Sequence, residues 1–258
     1  MKITQIAAQL YTVRDHCKTA ADLAVTARKL KRIGYTAVQV SGVGPISEED
    51  LVAILGGEGL VICATHEPGN IILEDPERVI DRLRKLNCKL TAYPFPHGVD
   101  FTSIDQVKAL ATKLDRSGAR LREAGLTLGY HNHAIEFVQS QGQTGLSWIY
   151  SLTDPQYLVS ELDTYWVHYG GGDVCTWVDR LQGRLPFIHL KDYCFTPANL
   201  PTYCEIGAGT LPFDRLIPKA TAAGCEWFIV EQDVCPGDPF ASLAKSFDYL
   251  REHFVSSL

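Results

Sequence analysis

The chain has 258 residues, with 24 lysines and arginines against 30 aspartates and glutamates, for a formal net charge of −6. That acidic balance speaks against a nucleic-acid partner, because phosphate binding calls for a basic field. No apolar run reaches the roughly 18 residues that a membrane span needs.

The length suits one (β/α)8 barrel with a full core. The eight cysteines contain no Cys-x-x-Cys pair. With no signal-peptide pattern after Met1, they read as reduced, mostly buried thiols of a cytoplasmic protein.

In chain order, Ile3–Leu10 reads as a first strand, followed by a helix over Ala20–Ile33 with Leu23, Ala27 and Leu30 at helical spacing. Tyr35–Val40 is the second strand, and Ser47 caps the acidic first turn of the next helix. Leu60–Ala64 is the third strand, leading to His66; a helix over Pro76–Leu86 and a fourth strand over Lys89–Tyr93 follow. A long helix from about Ser103 to Ala124 stops at Gly125, where the fifth strand begins and runs to His131. Gln139–Gly145 reads as a polar loop. Strand six ends at Asp163, Asp173 caps a helix over Val174–Leu181, and strand seven ends at His189. A long loop with Gly207 and Gly209, a helix to about Ala223, strand eight ending at Glu231, and a closing helix over Asp238–Phe254 complete the pattern. The strands are short and apolar, as in a sheet covered on both faces. With no composition break, the expectation is an α/β (β/α)8 TIM barrel, one domain over residues 1–258.

Active sites of such barrels lie at the C-terminal ends of the strands. Taken in order, those ends are Gln9, Gln39, His66, Tyr93, His131, Asp163, His189 and Glu231. A lone Asp after a strand is more often a cap, and a lone His more often a satisfied strand-end residue. His131, Asp163, His189 and Glu231 at four successive ends are harder to dismiss. Carboxylates with neutral imidazoles suit Mn, Mg, Co, Zn or Fe as a divalent ion. Weaker nominations carry plain alternatives. Lys191-Asp192 has the look of a surface ion pair, His133 of a residue turned away from the rim, and His66 and His97 of loop histidines. Gly207 and Gly209 read as loop-shaping residues and not as a phosphate cradle.

Five blocks carry a resemblance: Gly129-Tyr130-His131-Asn132-His133-Ala134-Ile135-Glu136-Phe137, Glu161-Leu162-Asp163-Thr164-Tyr165-Trp166, His189-Leu190-Lys191-Asp192, Glu205-Ile206-Gly207-Ala208-Gly209 and Val230-Glu231-Gln232-Asp233. Together they resemble the sugar phosphate isomerase/epimerase family of the xylose isomerase-like barrels. The likeness begins at Gln9-Leu10-Tyr11. It implies one divalent metal ion held by Asp163, His189, Glu231 and a fourth residue. Many relatives have Glu at the end of strand five, where this chain has His131; Glu136 is favoured as the replacement because a third carboxylate better balances a dication, with His131 then a base, and the reverse assignment stays open. Gln39 also stands where relatives often have Glu.

The resemblance further implies proton abstraction next to a carbonyl of a small carbohydrate through an enediolate, with Glu231, His131, Glu136 and Lys191 as catalytic groups. Tyr11, His66, His133 and Trp166 are the expected substrate-binding residues. A lyase or dehydratase acting on a keto-sugar or inosose would use the same site. An endonuclease IV-like nuclease or a non-catalytic sugar-binding barrel fits less well. Self-association into a homo-oligomer is left open by the sequence.

Overall fold

The computed structural model of the protein describes residues 1–255; the expected domain end at 258 lies outside the described residues. Eight parallel strands close into a barrel: β1 (Ile6–Gln9), β2 (Ala37–Val40), β3 (Val61–His66), β4 (Leu90–Tyr93), β5 (Thr127–His131), β6 (Leu158–Asp163), β7 (Phe187–Leu190) and β8 (Trp227–Val230). Each strand pairs with its neighbours in sequence, and β8 closes on β1 through Ala7 opposite Ile229. Helices fill the crossovers, as the strand–helix rhythm predicts. Thr19, Ser47, Ser103 and Asp173 each accept a hydrogen bond from a backbone N–H in the first turn of their helix. The expected barrel is the observed one.

The expected first strand, Ile3–Leu10, is cut to Ile6–Gln9 by 3-10 turns over Ile3–Gln5 and Leu10–His16, and the other differences lie at the C-terminal ends. Strand β3 runs on through His66, so that residue belongs to the sheet and not to its exit loop. The presumed polar loop at Gln139–Gly145 contains a tight two-stranded hairpin, Gln139–Ser140 with Gln143–Thr144. The long loop after β7 contains another, Asp192–Phe195 paired with Pro201–Cys204. Its mixed composition, with Pro201 opening the second strand, hides the alternation that marks a hairpin.

Inside the barrel the period of two decides what meets what. Ala7, Ala37, Ala64, Ala92, Phe187 and Ile229 form a dry floor, with Leu90, Val159 and Trp227 packed against it. Gly129 completes that layer: a Cβ there would lie 2.5 Å from Phe187 Cζ, so its missing side chain makes room for the ring. One step further along the strands come Gln9, Gln39, His66, His131, Glu161 and His189, and above them His133, Asp163, Lys191 and Glu231. All of these but His66 and His133 are buried. Apolar floor and polar mouth thus come from alternate residues of the same strands. All eight cysteines are free thiols. Among the described residues, no helix is long and apolar enough to cross a membrane.

Candidate active site

Asp163, at the end of β6, divides its two oxygens between two tasks. Oδ1 accepts from the Trp166 N–H at 2.8 Å and caps the short helix Thr164–Tyr169. Oδ2 is buried and makes no hydrogen bond. It lies 3.1 Å from Lys191 Nζ and 3.9 Å from His189 Nδ1. The cap and the site are therefore both real, on different atoms. Asn132 holds the backbone in place by accepting from the Asp163 N–H at 2.9 Å. Glu231 completes this upper cluster, with Oε2 at 2.8 Å from both His189 Nδ1 and Lys191 Nζ.

Lys191 is not half of a surface pair. It is 1% exposed and lies among Asp163, Glu231 and Asp233, the last at 3.1 Å. Burial alone would lower its ammonium; the three carboxylates hold it well above its usual range. The Thr164 hydroxyl pins its backbone, donating to the Lys191 carbonyl at 2.8 Å and accepting from the Lys191 N–H at 2.9 Å. Asp192 points the other way. Its carboxylate accepts from the N–H groups of Tyr193, Gly207, Gly209 and Leu211 at 2.7–3.2 Å. The alternative of a Lys191–Asp192 surface pair fails because the two successive residues face opposite sides.

Beneath the upper cluster sits Glu161, a residue that reading only the last position of each strand passes over. It is fully buried and two residues before Asp163, so both face the barrel interior. A charged residue two positions before Asp163, on the same face of the strand, was the available signal. Its Oε1 accepts from Gln39 Nε2 at 2.6 Å, and its Oε2 meets His66 Nε2 at 2.5 Å. Burial would raise this carboxyl, but His189 and His66 hold it well below the usual carboxylate range.

The histidines differ sharply. Burial drives His131 down to about 3 and His133 down to about 2, so both are neutral imidazoles, each with Nδ1 unpartnered. His131 Nδ1 lies 3.2 Å from Glu161 Oε2 without the alignment of a hydrogen bond. Burial also opposes charge on His189, yet Glu161 and Glu231 raise it to about 10.

His133, an expected substrate-binding residue with turning away as its plain alternative, does not turn away. It shares the inward face with His131, two residues earlier, and their rings stand 4.8 Å apart. It also packs on Phe95 and on Trp166, at 4.9 and 5.3 Å. Trp166 in turn meets Tyr203 of the second hairpin at 6.2 Å, an aromatic that sequence patterns did not flag. These rings form an apolar crown over the cluster. Tyr11 lies beside Gly42 with Arg14 over its ring, between the ends of β1 and β2. His66 lies deeper than a pocket wall, its ring 5.4 Å from that of His189.

Glu136 was the favoured fourth ligand. Its Oε1 instead accepts from the Tyr130 hydroxyl at 3.0 Å and its Oε2 from the His133 N–H at 2.9 Å. Burial pushes its carboxyl up to about 7. It stands behind His133 as a support.

Two sets of side chains converge closely enough to share an ion: His131, Asp163, His189 and Glu231, and, deeper, His66, His131, Glu161 and His189. In each set the ligand atoms lie within 4.8 Å of one another. The upper set fits a divalent cation on its own chemistry. It has two carboxylates, two imidazoles and a buried Asp163 oxygen that makes no hydrogen bond, with further negative charge from Glu161 and Asp233 set against the Lys191 ammonium and the proton on His189 that an ion would displace. A concavity of about 730 Å³ at the other end of the barrel, lined by Leu90, Thr127, Val159 and Trp227 among others, has only Lys89 and Glu226 as charged lining groups and gathers no such set.

A parallel barrel with buried carboxylates and imidazoles gathered at the C-terminal mouth defines a class of protein whose chemistry is carried by the strand ends. Within that class the chain belongs to the xylose isomerase-like TIM barrel family, whose model matches residues 27–253. It is 29% identical over 172 residues to an inosose dehydratase of Lacticaseibacillus casei, covering 60% of this chain and 56% of the relative. The alignment thus spans a little over half of that relative's length. An inosose dehydratase of Mesomycoplasma hyopneumoniae is 26% identical over 261 residues, covering 86% of each chain. Among solved structures, a sugar phosphate isomerase/epimerase from Parabacteroides distasonis superposes with a TM-score of 0.83 at 20% identity, covering 97% of this chain and 94% of that one. A xylose isomerase-like barrel from Mycobacterium smegmatis in complex with magnesium gives 0.72 at 14% identity, covering 98% and 97%. At those identities the two structural likenesses are likenesses of fold.

Proposed function

We propose that the protein is an epimerase or isomerase of a keto-sugar or cyclitol, working by proton transfer at the carbon next to a carbonyl. The observation that carries this reading is the convergence of Asp163, His189, Glu231 and His131 beneath the aromatic crown. These four would hold one divalent ion, His131 taking the fourth position because the oxygens of Glu136 are engaged by Tyr130 and His133. Such an ion supplies Lewis-acid charge to a ketone oxygen and its neighbouring hydroxyl.

The chain's own groups do the rest. Glu231, kept ionised by Lys191 and His189 against the effect of burial, takes the proton from the substrate carbon. Glu231, protonated by that step, returns the proton at the adjacent carbon, while His131, three strands away around the barrel and a neutral imidazole, would stay on the ion. The Lys191 ammonium lies close enough to Glu231 and Asp163 to offset negative charge building on the enediolate oxygen. His133 and Trp166 give the sugar ring an apolar wall with a polar edge.

Dehydration is the second reading, favoured by the similarity to inosose dehydratases. It uses the same abstraction and differs in the departure of a β-hydroxyl. Incubation in heavy water with ketoses, keto-glycosides and inososes tests both. Deuterium at the carbon next to the carbonyl, with the carbon skeleton intact and no loss of water, supports the epimerase or isomerase. Loss of water with a new conjugated chromophore supports the dehydratase. No exchange on any of these compounds, in protein loaded with a divalent ion, would sink both.

A further inference from the structure

The two ligand sets share His131 and His189, so the question is which one a cation would enter. The hydrogen bonds around Gln39 answer it. Gln39 is fully buried between Gln9, Glu161 and His189. At one end of this chain of amides, the Tyr11 backbone N–H donates to Gln9 Oε1 at 3.4 Å. A backbone N–H can only donate, so Gln9 presents its Nε2 to Gln39, and Gln39 must answer with Oε1, 2.9 Å away. At the other end, Gln39 Nε2 donates to the Glu161 carboxylate at 2.6 Å. Both ends demand the same orientation of the Gln39 amide. His189 Nε2, at 2.6 Å from Gln39 Oε1, must therefore carry a hydrogen. The other ring nitrogen, Nδ1, hydrogen-bonds Glu231 Oε2 at 2.8 Å and faces Asp163 in the upper cluster, so the hydrogen it carries there is the one a bound ion would displace.

We propose that Gln39 is a positioning residue that fixes the Nε2–H form of His189, so that Nδ1 is the atom offered to a divalent ion and the Glu161 layer is a hydrogen-bonded support, not a second metal site. Glu161 has both oxygens committed, Oε1 to Gln39 and Oε2 to His66, and His189 Nε2 donates to Gln39. Little is left there for a cation to take. The amide also explains why a carboxylate does not stand at position 39. A Glu would set two buried carboxyl groups 2.6 Å apart, which could stand there only by sharing a proton, whereas the amide donates to Glu161 without titrating. This inference rests on the metal-site reading above and deepens it.

The test is to load the full chain with zinc, which is diamagnetic, and read the histidine ring nitrogens by proton–nitrogen correlation on isotope-labelled histidine. The His189 signals are assigned by their loss in His189→Gln. The expected result is one zinc per chain, with Nδ1 of His189 bound and Nε2 protonated. Gln39→Leu should lose the single protonated form and weaken zinc binding by roughly 10- to 100-fold, as removal of such orienting partners does. The exchange Gln39→Glu with Glu161→Gln keeps an acceptor opposite His189 and should restore both, which guards against Gln39→Leu merely failing to fold. Zinc on Nε2, a second zinc in the Glu161 layer, or a Gln39→Leu protein that keeps wild-type affinity and ring state would overturn the proposal. If zinc leaves His189 unshifted in the unaltered protein, the metal reading itself falls, and the proposal with it.

Discussion

At the scale of single residues, the site is built from side chains whose two polar atoms have separate duties. Asp163 caps a helix with one oxygen and leaves the other buried beside Lys191 without a hydrogen bond. Asp163→Asn keeps a competent cap and removes the charge, so metal occupancy measured after dialysis should collapse. The same measurement on Asp81→Asn, an exposed charge on a distant helix, should be unchanged.

Glu136 gives a pH test. Its carboxyl is raised from 4.5 to about 7 by burial, so the folded protein holds that proton more tightly than the unfolded chain. Stability is then fullest below pH 4.5 for this group and declines as pH rises toward 7. The loss is of order 3 kcal/mol at about 1.4 kcal/mol per unit. Glu136→Gln can keep partners for Tyr130 and His133 without titrating. Its melting temperature should fall less than the wild type's between pH 5 and 8; parallel curves would refute the assignment.

At the scale of elements, what matters is how neighbouring strands fill one another's space. Gly129 on β5 yields to Phe187 on β7, whose ring reaches across the barrel floor. Gly129→Ala should cost about 1–3 kcal/mol by overpacking, and pairing it with Phe187→Leu should recover part of that in denaturant titrations. A similar economy holds the loop after the second hairpin, where Asp192 gathers four backbone N–H groups. Asp192→Ala should cost at least about 1.5–3 kcal/mol, the scale of a hydrogen bond to a charged group. Hydrogen exchange should accelerate at Gly207, Gly209 and Leu211 first; protection unchanged at those amides would show that the loop is held by something else.

At the scale of the whole molecule, the net charge of −6 and the acidic mouth speak for an uncharged substrate. The loop after β7 has the glycines of an anion cradle, but the Gly207, Gly209 and Leu211 N–H groups are already taken by Asp192. Lys191 is likewise surrounded by three carboxylates and is not a free cation for a phosphate. A sugar should therefore turn over at least as well as its phosphate ester. A strong preference for the ester, abolished by Lys191→Met or Arg14→Met, would overturn this.

The sequence by itself determined the barrel and most of its mouth. Helical spacing, capping residues and short apolar strands are local signals, and they place His131, Asp163, His189 and Glu231 at strand ends before any contact is known. What it could not determine depends on barrel closure. Glu161 joins the site because strands β2, β3, β5 and β7 bring Gln39, His66, His131 and His189 around it. That stagger follows from sheet geometry, not from any one strand's pattern. The partners of Lys191 and the engagement of Glu136 were hidden for the same reason. A side chain's charge is legible in the chain, but its neighbours across a closed sheet are not. Only the tertiary structure decided which carboxylates converge on the upper cluster and which were spent holding the others in place.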